Sequence, residues 1–376
     1  MTSGSAIVIG AGIVGLATAR ALALRGFSVR VFERSERAVG ASIRNFGMIW
    51  PVGQPSGKRY ERAIRSRNIW KEIAASGCFH FEQTGSLHLA HKPDEWRVLQ
   101  ELYDQFRREG RDIRLLDAQA AVGCSDAVEP AGLLGGLYSS EEGIVDPREA
   151  IAALPGWLRE KGKVEFCWGK CISYISEQVV YVGNEEEYEA DLIFICNGSD
   201  LETLYPESFA RLPITKCKLQ MMRLAAQPDN WRIGPALCGG LSLTHYNSFT
   251  AAPSLPELKQ RYAEEMSEYL KWGIHVMVSQ NEKGELTVGD SHEYGLTHDP
   301  FDREFINKMV LDYLRSFARF RDWSVSGTWN GVYARLTDGE PDLFFSPEPF
   351  VYVVNGLGGA GMTLSFGLAE ELVAGL

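Results

Sequence analysis

The stretch Ser5-Ala6-Ile7-Val8-Ile9-Gly10-Ala11-Gly12-Ile13-Val14-Gly15 decides the fold. Its first half is an apolar, strand-forming run. Its second half is Gly-x-Gly-x-x-Gly and opens a helix that the pattern carries to about Arg25, with Gly26 as the C-cap. A second strand, Ser28 to Glu33, completes a strand-helix-strand unit. In such a unit Gly10 lets the chain turn, Gly12 lets the backbone approach a pyrophosphate, and Gly15 lets the helix lie against the strand. Ile13 and Val14 begin the helix whose free N–H groups face the phosphates. Glu33 lies 18 residues after Gly15, at the end of the second strand. A carboxylate there accepts hydrogen bonds from ribose hydroxyls and repels a 2′-phosphate. Arg34, beside it, falls to the same end of the ligand.

A second glycine loop, Gly356-Leu357-Gly358-Gly359-Ala360-Gly361, follows the apolar run Phe350 to Val354 and opens a final helix through Met362 and Thr363. Glycine costs stability unless positive φ or close approach requires it, so four in six residues imply a second ligand contact. One glycine loop suffices for NAD. Two, near opposite ends of the chain, fit a longer cofactor held at both ends, which is FAD with its flavin ring on the C-terminal helix. That helix N-terminus would stabilise negative charge on the reduced ring. Ser42, Arg44, Asn45, Gly47 and Met48, just after the first unit, form a polar loop placed to run along the pyrophosphate and the ring.

The bulk properties agree with a soluble enzyme. The chain has 376 residues, 45% hydrophobic and 23% charged, enough for a large core and two structural domains. Its net charge of −11 argues against nucleic acid or an anionic membrane as the main partner. Seven scattered cysteines without a CxxC, the nearest pair being Cys167 and Cys171, fit reduced thiols in a cytoplasm and neither a disulfide framework nor a zinc site. No metal centre is expected. No apolar run approaches the ~20 residues of a spanning helix, and the glycine-studded N-terminus does not read as a signal peptide.

Apolar patterning gives α/β architecture: a Rossmann-like parallel sheet for the cofactor, interleaved with a mostly antiparallel substrate-binding domain. The cofactor domain is expected over about 1–80, 140–210 and 325–376, and the substrate domain over about 81–139 and 211–324. Leu192-Ile193-Phe194-Ile195 is apolar on both faces and belongs inside the parallel sheet. Asp146-Pro147-Arg148-Glu149 reads as a helix start, with Asp146 as cap and Glu149 returning a capping-box bond. Strand-like runs are expected at 217–226, 241–249, 274–280 and 285–290.

Gly10 to Gly15, Glu33, the loop Gly40 to Met48, Val145-Asp146-Pro147, the Cys196-Asn197-Gly198 turn and Gly356 to Thr363 together resemble the D-amino-acid oxidase, sarcosine oxidase and glycine oxidase superfamily of FAD-dependent oxidoreductases. The resemblance spans nearly the whole chain. Leu201 to Glu207, Cys217 to Leu224, Gly239 to Phe249, Ser279 to Gly295 and Gly358 to Leu372 resemble more narrowly a clade associated with 2-aminoethylphosphonate catabolism. The superfamily implies hydride transfer from the carbon beside a neutral amine to the flavin, with imine hydrolysis afterwards and dioxygen or another acceptor reoxidising the flavin. It requires no dedicated general base, and none is assigned. It also brings Ile172, Asn197 and Gly198 to the cofactor.

This chain departs from the superfamily where the substrate's acid group is held. Glycine-oxidase relatives carry an arginine five residues before the aspartate of a DG turn. Here the turn is Asp338-Gly339 and that position is Tyr333, with Arg335 two residues on. The covalent-flavin cysteine of sarcosine oxidases aligns near Gly331, so FAD is expected to bind non-covalently. Replacement donors for an acidic group are Arg335, Arg44, Lys216, Lys218, His245 and His292, with Tyr246, Tyr294, Tyr333 and Trp50 as pocket walls. The expected reaction is oxidation of a small acidic amine, 2-aminoethylphosphonate or an N-alkyl derivative, with glycine, sarcosine or a D-amino acid as the alternative.

Overall fold

The structure is a computed structural model that describes residues 4–184 and 186–376. Ser5–Ile9 forms the first strand, Ile13–Leu24 the first helix and Ser28–Glu33 the second strand. They sit in a six-stranded sheet ordered Leu343–Glu348, Val351–Asn355, Leu192–Ile195, Ser5–Ile9, Ser28–Glu33, Val164–Trp168. All neighbours are parallel except the first pair. Ile193, Phe194 and Ile195 are fully buried, as a strand covered on both faces requires. One face is covered by helices, Gly361–Ala374 lying on Ile13–Leu24 and Lys58–Ala74. The other carries a small antiparallel sheet, Ile172–Ser176, Val179–Val182 and Glu186–Glu189, whose Ile172, Ile175 and Val180 pack on Ile7 and Ile193.

The helical layer is locked at two points. The buried Arg20 guanidinium pairs with Glu370 at 2.8 Å, joining the first and last helices. Trp70, fully buried, packs edge-on against Phe366 and donates its indole N–H to the Met362 carbonyl at 2.8 Å. Burying a large apolar side chain contributes about 1.5–3 kcal/mol; the indole bond satisfies the polar atom that burial would otherwise leave unpaired.

A larger sheet stands beside this layer. Its order is Glu293–Gly295, Ile214–Leu224, Leu286–Gly289, Met277–Gln280, Ala236–Cys238, Ser86–Ala90, Gly135–Ser139, Ile113–Asp117. Only the contact between Ala236–Cys238 and Ser86–Ala90 is parallel. Val325–Leu336 pairs along nearly the whole of Ile214–Leu224.

Two local expectations are corrected. The run over 241–249 is not a strand: Gly240–Thr244 and Asn247–Ala251 are 3₁₀ turns, because Gly239, Gly240 and the Ser242 hydroxyl, bonded to the Gly239 carbonyl, favour tight turns over ladder pairing. Asp146 does cap the helix Pro147–Lys161, accepting from the Arg148 N–H. The Glu149 carboxylate pairs with Lys283 instead of returning to the cap.

At Gly15 an added Cβ would lie 1.8 Å from the Gly10 carbonyl oxygen. Gly15→Ala should therefore lower the stability of the FAD-free protein by about 1–3 kcal/mol, read as a fall in its unfolding midpoint. An unchanged midpoint would show that the helix slides away from the strand at little cost.

Candidate active site

The carboxyl ends of four adjacent strands define the site. In sheet order these are Val351–Asn355, Leu192–Ile195, Ser5–Ile9 and Ser28–Glu33. Their exits are the Gly356 loop, the Asn197 turn, the Gly10 loop and Glu33. At about 4.8 Å per strand these exits span roughly 14 Å, the scale of an extended dinucleotide. A cavity of about 850 Å³ runs along this edge and continues under the larger sheet. Ligands of open α/β sheets occupy this position.

At one end Glu33 accepts from the Ala11 and Ser35 N–H groups at 3.0 and 3.1 Å, which fixes its carboxylate beside the glycine loop. Arg34 pairs with Asp200 at 2.7 Å, and Ile172 lines the wall. In the middle, the Ile13 N–H donates to Ser42 Oγ at 2.9 Å, so a helix N-terminal donor already faces an oxygen. Gly10 has a φ of +104° and passes so close to the Cys196 carbonyl that a Cβ would sit 2.4 Å from it. Asn355 ties the exits together: its amide donates to Asn197 Oδ1 at 2.8 Å and to the Gly198 carbonyl at 2.9 Å, and its oxygen accepts from the Gly356 N–H. The first-turn N–H groups of the last helix have no acceptor within it; Gly361, Met362 and Thr363 line the cavity, and Thr363 Oγ1 accepts from the Trp50 N–H at 2.9 Å.

Gly12, Val14, Arg44, Asn45, Met48, Asn197, Gly198, Gly356, Gly358 and Gly359 also line the cavity. Two of the expected contacts do not. Gly15 lies beneath the loop. Gly47 is held against the Val145 carbonyl, where a Cβ would come within 1.9 Å; it shapes the loop without touching the space. Arg44 donates to the Asn330 carbonyl at 3.1 Å.

At the far end Trp50, Tyr246, Met277, His245, His275, His292, Asp290, Tyr294, Tyr333 and Arg335 surround the space. Arg335 donates to the Tyr294 hydroxyl at 2.9 Å and lies over its ring. Burial, with the Cys217 thiol beside it, pushes the Tyr333 hydroxyl well up, so it stays protonated. Solvent reaches the His245 ring through the cavity, yet the surrounding protein, together with His292 and Arg335, pushes its charged form down. Burial likewise lowers His275, helped by His245 and His292, and raises the Asp290 carboxyl to about 6. Lys216 and Lys218 are corrected. Lys216 pairs with Glu202 at 2.6 Å. Lys218 is buried away from the cavity, its ammonium held by the Asp299 and Phe301 carbonyls.

His275 and Asp290 carry no sequence signal of their own. Each lies beside a short strand, and only the pairing of Met277–Gln280 with Leu286–Gly289 brings them together.

The cavity spans two glycine loops with a ribose-range carboxylate at one end. Correspondingly, the FAD dependent oxidoreductase family model matches residues 5–374. The chain belongs to that family. Its cofactor is FAD, and its fold is that of the family's solved members. It superposes on glycine oxidase from Geobacillus kaustophilus with a TM-score of 0.77 at 19% identity, covering 99% of this chain and 94% of that one. The L-proline dehydrogenase of P. horikoshii gives 0.77 at 20% identity, covering 98% and 92%. In sequence it is 27% identical over 247 residues to the tRNA 5-methylaminomethyl-2-thiouridine biosynthesis bifunctional protein of Chromobacterium violaceum, covering 62% of this chain. That match takes in 36% of the relative's length. Among the described residues no helix is long and apolar enough to cross a membrane.

Glu33→Ala should raise the dissociation constant for FAD about tenfold, the equivalent of ~1.4 kcal/mol, measured by flavin release on dilution. Undiminished retention would remove Glu33 from the ribose.

Proposed function

We propose that this FAD-dependent oxidoreductase oxidises the C–N bond of a small acidic amine, with 2-aminoethylphosphonate or an N-alkyl derivative as substrate and phosphonoacetaldehyde as product. The carrying observation is the make-up of the wall at the far end of the cavity. Tyr333 stands where a planar carboxylate would need an arginine fork. Arg335, the Tyr294 hydroxyl and three imidazoles are spread around the space instead. A tetrahedral dianion has three oxygens pointing in different directions, and spread donors suit it. The relatives' 5-methylaminomethyl group is itself a secondary amine, the bond class of an N-alkyl substrate.

Bound FAD supplies a two-electron hydride acceptor. We assign its nucleotide end to Glu33, Arg34 and Ile172, its pyrophosphate to Gly10, Gly12, Ile13, Val14, Ser42 and Arg44, and its flavin end to Met48, Asn197, Gly198 and Gly356 to Thr363. Gly331 offers no thiol, which supports non-covalent binding. Trp50, Tyr246 and Met277 would exclude water from the reacting carbon, and Arg335 with Tyr294 would hold the anionic group and so orient the amine. The substrate loses a hydride and a proton. The imine then takes up water and releases phosphonoacetaldehyde and ammonia, or an alkylamine from an N-alkyl substrate. Dioxygen or another acceptor takes the electrons.

A second reading, oxidation of glycine, sarcosine or a D-amino acid, draws on Arg335 as a single carboxylate partner. Anaerobic mixing of the yellow protein with 2-aminoethylphosphonate, its N-methyl derivative, glycine, sarcosine and D-alanine separates the two. The expected result is flavin bleaching by the phosphonates alone; bleaching only by the amino acids would overturn the proposal. Arg335→Ala should raise KM about tenfold with little change in kcat. This is less than the ~2–5 kcal/mol of a fully buried pair, because the side chain is only half-buried. An unchanged KM would mean that the guanidinium faces away from substrate.

A further inference from the structure

Three imidazoles and one carboxylate converge on the far end of the cavity from separate turns. His245 follows the turn Gly240–Thr244, His275 precedes the strand Met277–Gln280, and Asp290 and His292 lie just before Glu293–Gly295. The ring centroids of His245 and His275 are 3.7 Å apart, and those of His292 lie 4.9 and 5.1 Å from them. One nitrogen of each ring lies within 4.8 Å of the other two.

The hydrogen bonds around these rings leave lone pairs free. His292 Nδ1 is 2.9 Å from the Gly273 carbonyl. A carbonyl only accepts, so Nδ1 carries the proton and Nε2 presents a lone pair. His275 Nε2 contacts Asp290 Oδ1 at 3.1 Å without hydrogen-bond alignment, and His275 Nδ1 and Asp290 Oδ1 both lack any hydrogen-bond partner. His275 is 4% exposed and Asp290 5%. Each such buried, unpaired polar atom is destabilising, and this pair faces a cavity beside two further imidazoles. An ion in their midst satisfies them together.

We infer that His245, His275 and His292 bind one divalent transition-metal ion, with the Asp290 carboxylate beside them adding negative charge. Imidazole donors suit zinc, copper, nickel or iron, and a ligating histidine ordinarily gives its other N–H to a carbonyl or carboxylate, as His292 does to Gly273. Three nitrogens about 2.0–2.1 Å from tetrahedral zinc lie about 3.3 Å from one another. Reaching that spacing requires the stacked His245 and His275 rings to part, and His245, exposed on the cavity side, is the ring with room to turn. The fourth position opens into the substrate space. Resting on the aminophosphonate reading, a phosphonate oxygen fills it: the dianion, with Asp290 and Arg335 alongside, brings the site to neutrality.

The test is equilibrium dialysis of the FAD-loaded protein against Zn²⁺ with no amine present. The expected result is one zinc per chain, lost in His245→Ala and weakened at least about tenfold in His275→Asn, with flavin content unchanged as the check that both variants are folded. Sub-stoichiometric zinc, or binding unaltered in both variants, overturns the site whatever the amine panel shows. Co²⁺-loaded protein then reads the fourth position. Adding 2-aminoethylphosphonate, to protein whose flavin that amine bleaches, should shift the cobalt d–d bands. Unshifted bands beside full zinc occupancy overturn the phosphonate contact alone.

Discussion

The site depends on how closely the chain passes itself at the carboxyl ends of the parallel strands. Gly10 lies against the Cys196 carbonyl, Gly15 against the Gly10 carbonyl and Gly47 against the Val145 carbonyl, each too near for a β-carbon. These contacts compress the strand exits into one edge. Asn355 then ties the last exit to the Asn197 turn through both ends of its amide. With the backbone this close, donor groups from the first and last helices face the same elongated space.

The larger sheet acts through a single long ladder. Ile214–Leu224 pairs with Val325–Leu336 over nearly its full length, and the latter strand carries Tyr333 and Arg335 to the second glycine loop. A bridge between Arg335 and Leu357 and the bond from Arg44 to the Asn330 carbonyl fasten the two sheets at the cavity. The wall that carries Tyr333 and Arg335 is therefore held in fixed register with the edge formed by the glycine loops. The far wall is built mostly of neutral groups, since burial suppresses charge on His275 and keeps Tyr246 and Tyr333 protonated, and the surrounding protein with His292 and Arg335 does the same for His245. The same wall also holds the Arg335 guanidinium and the Asp290 carboxyl.

Much of the cofactor edge was legible in the sequence because glycine is informative where sterics forbid every other residue. Gly10, Gly12, Gly356 and Gly358 stood out for that reason and all line the cavity. The position of Glu33 beside the glycine loop was legible from its spacing alone, because a strand-helix-strand unit has a nearly fixed length. Gly47 was read as a ligand contact, and the structure shows it packed on the Val145 carbonyl; a glycine required for backbone proximity looks the same in sequence whichever backbone it meets. Lys216 and Lys218 show the converse: a cation invites assignment to an anion, yet Glu202 and two backbone carbonyls claim them. The strand expected through His245 and Tyr246 is a pair of 3₁₀ turns, because local hydroxyl and glycine chemistry outweighed the apolar alternation.

By itself, the sequence determined the α/β class, the dinucleotide edge and the demand for a ligand contact at both ends of the chain. Each of these rests on local rules: strand-turn-helix spacing and the steric privilege of glycine. Only the tertiary structure decided which side chains meet across the substrate space. His245, His275, Asp290 and His292 come from separate turns, and no sequence period relates them. Their convergence follows from how strands far apart in the chain pair in the larger sheet, a non-local choice made by burial and packing.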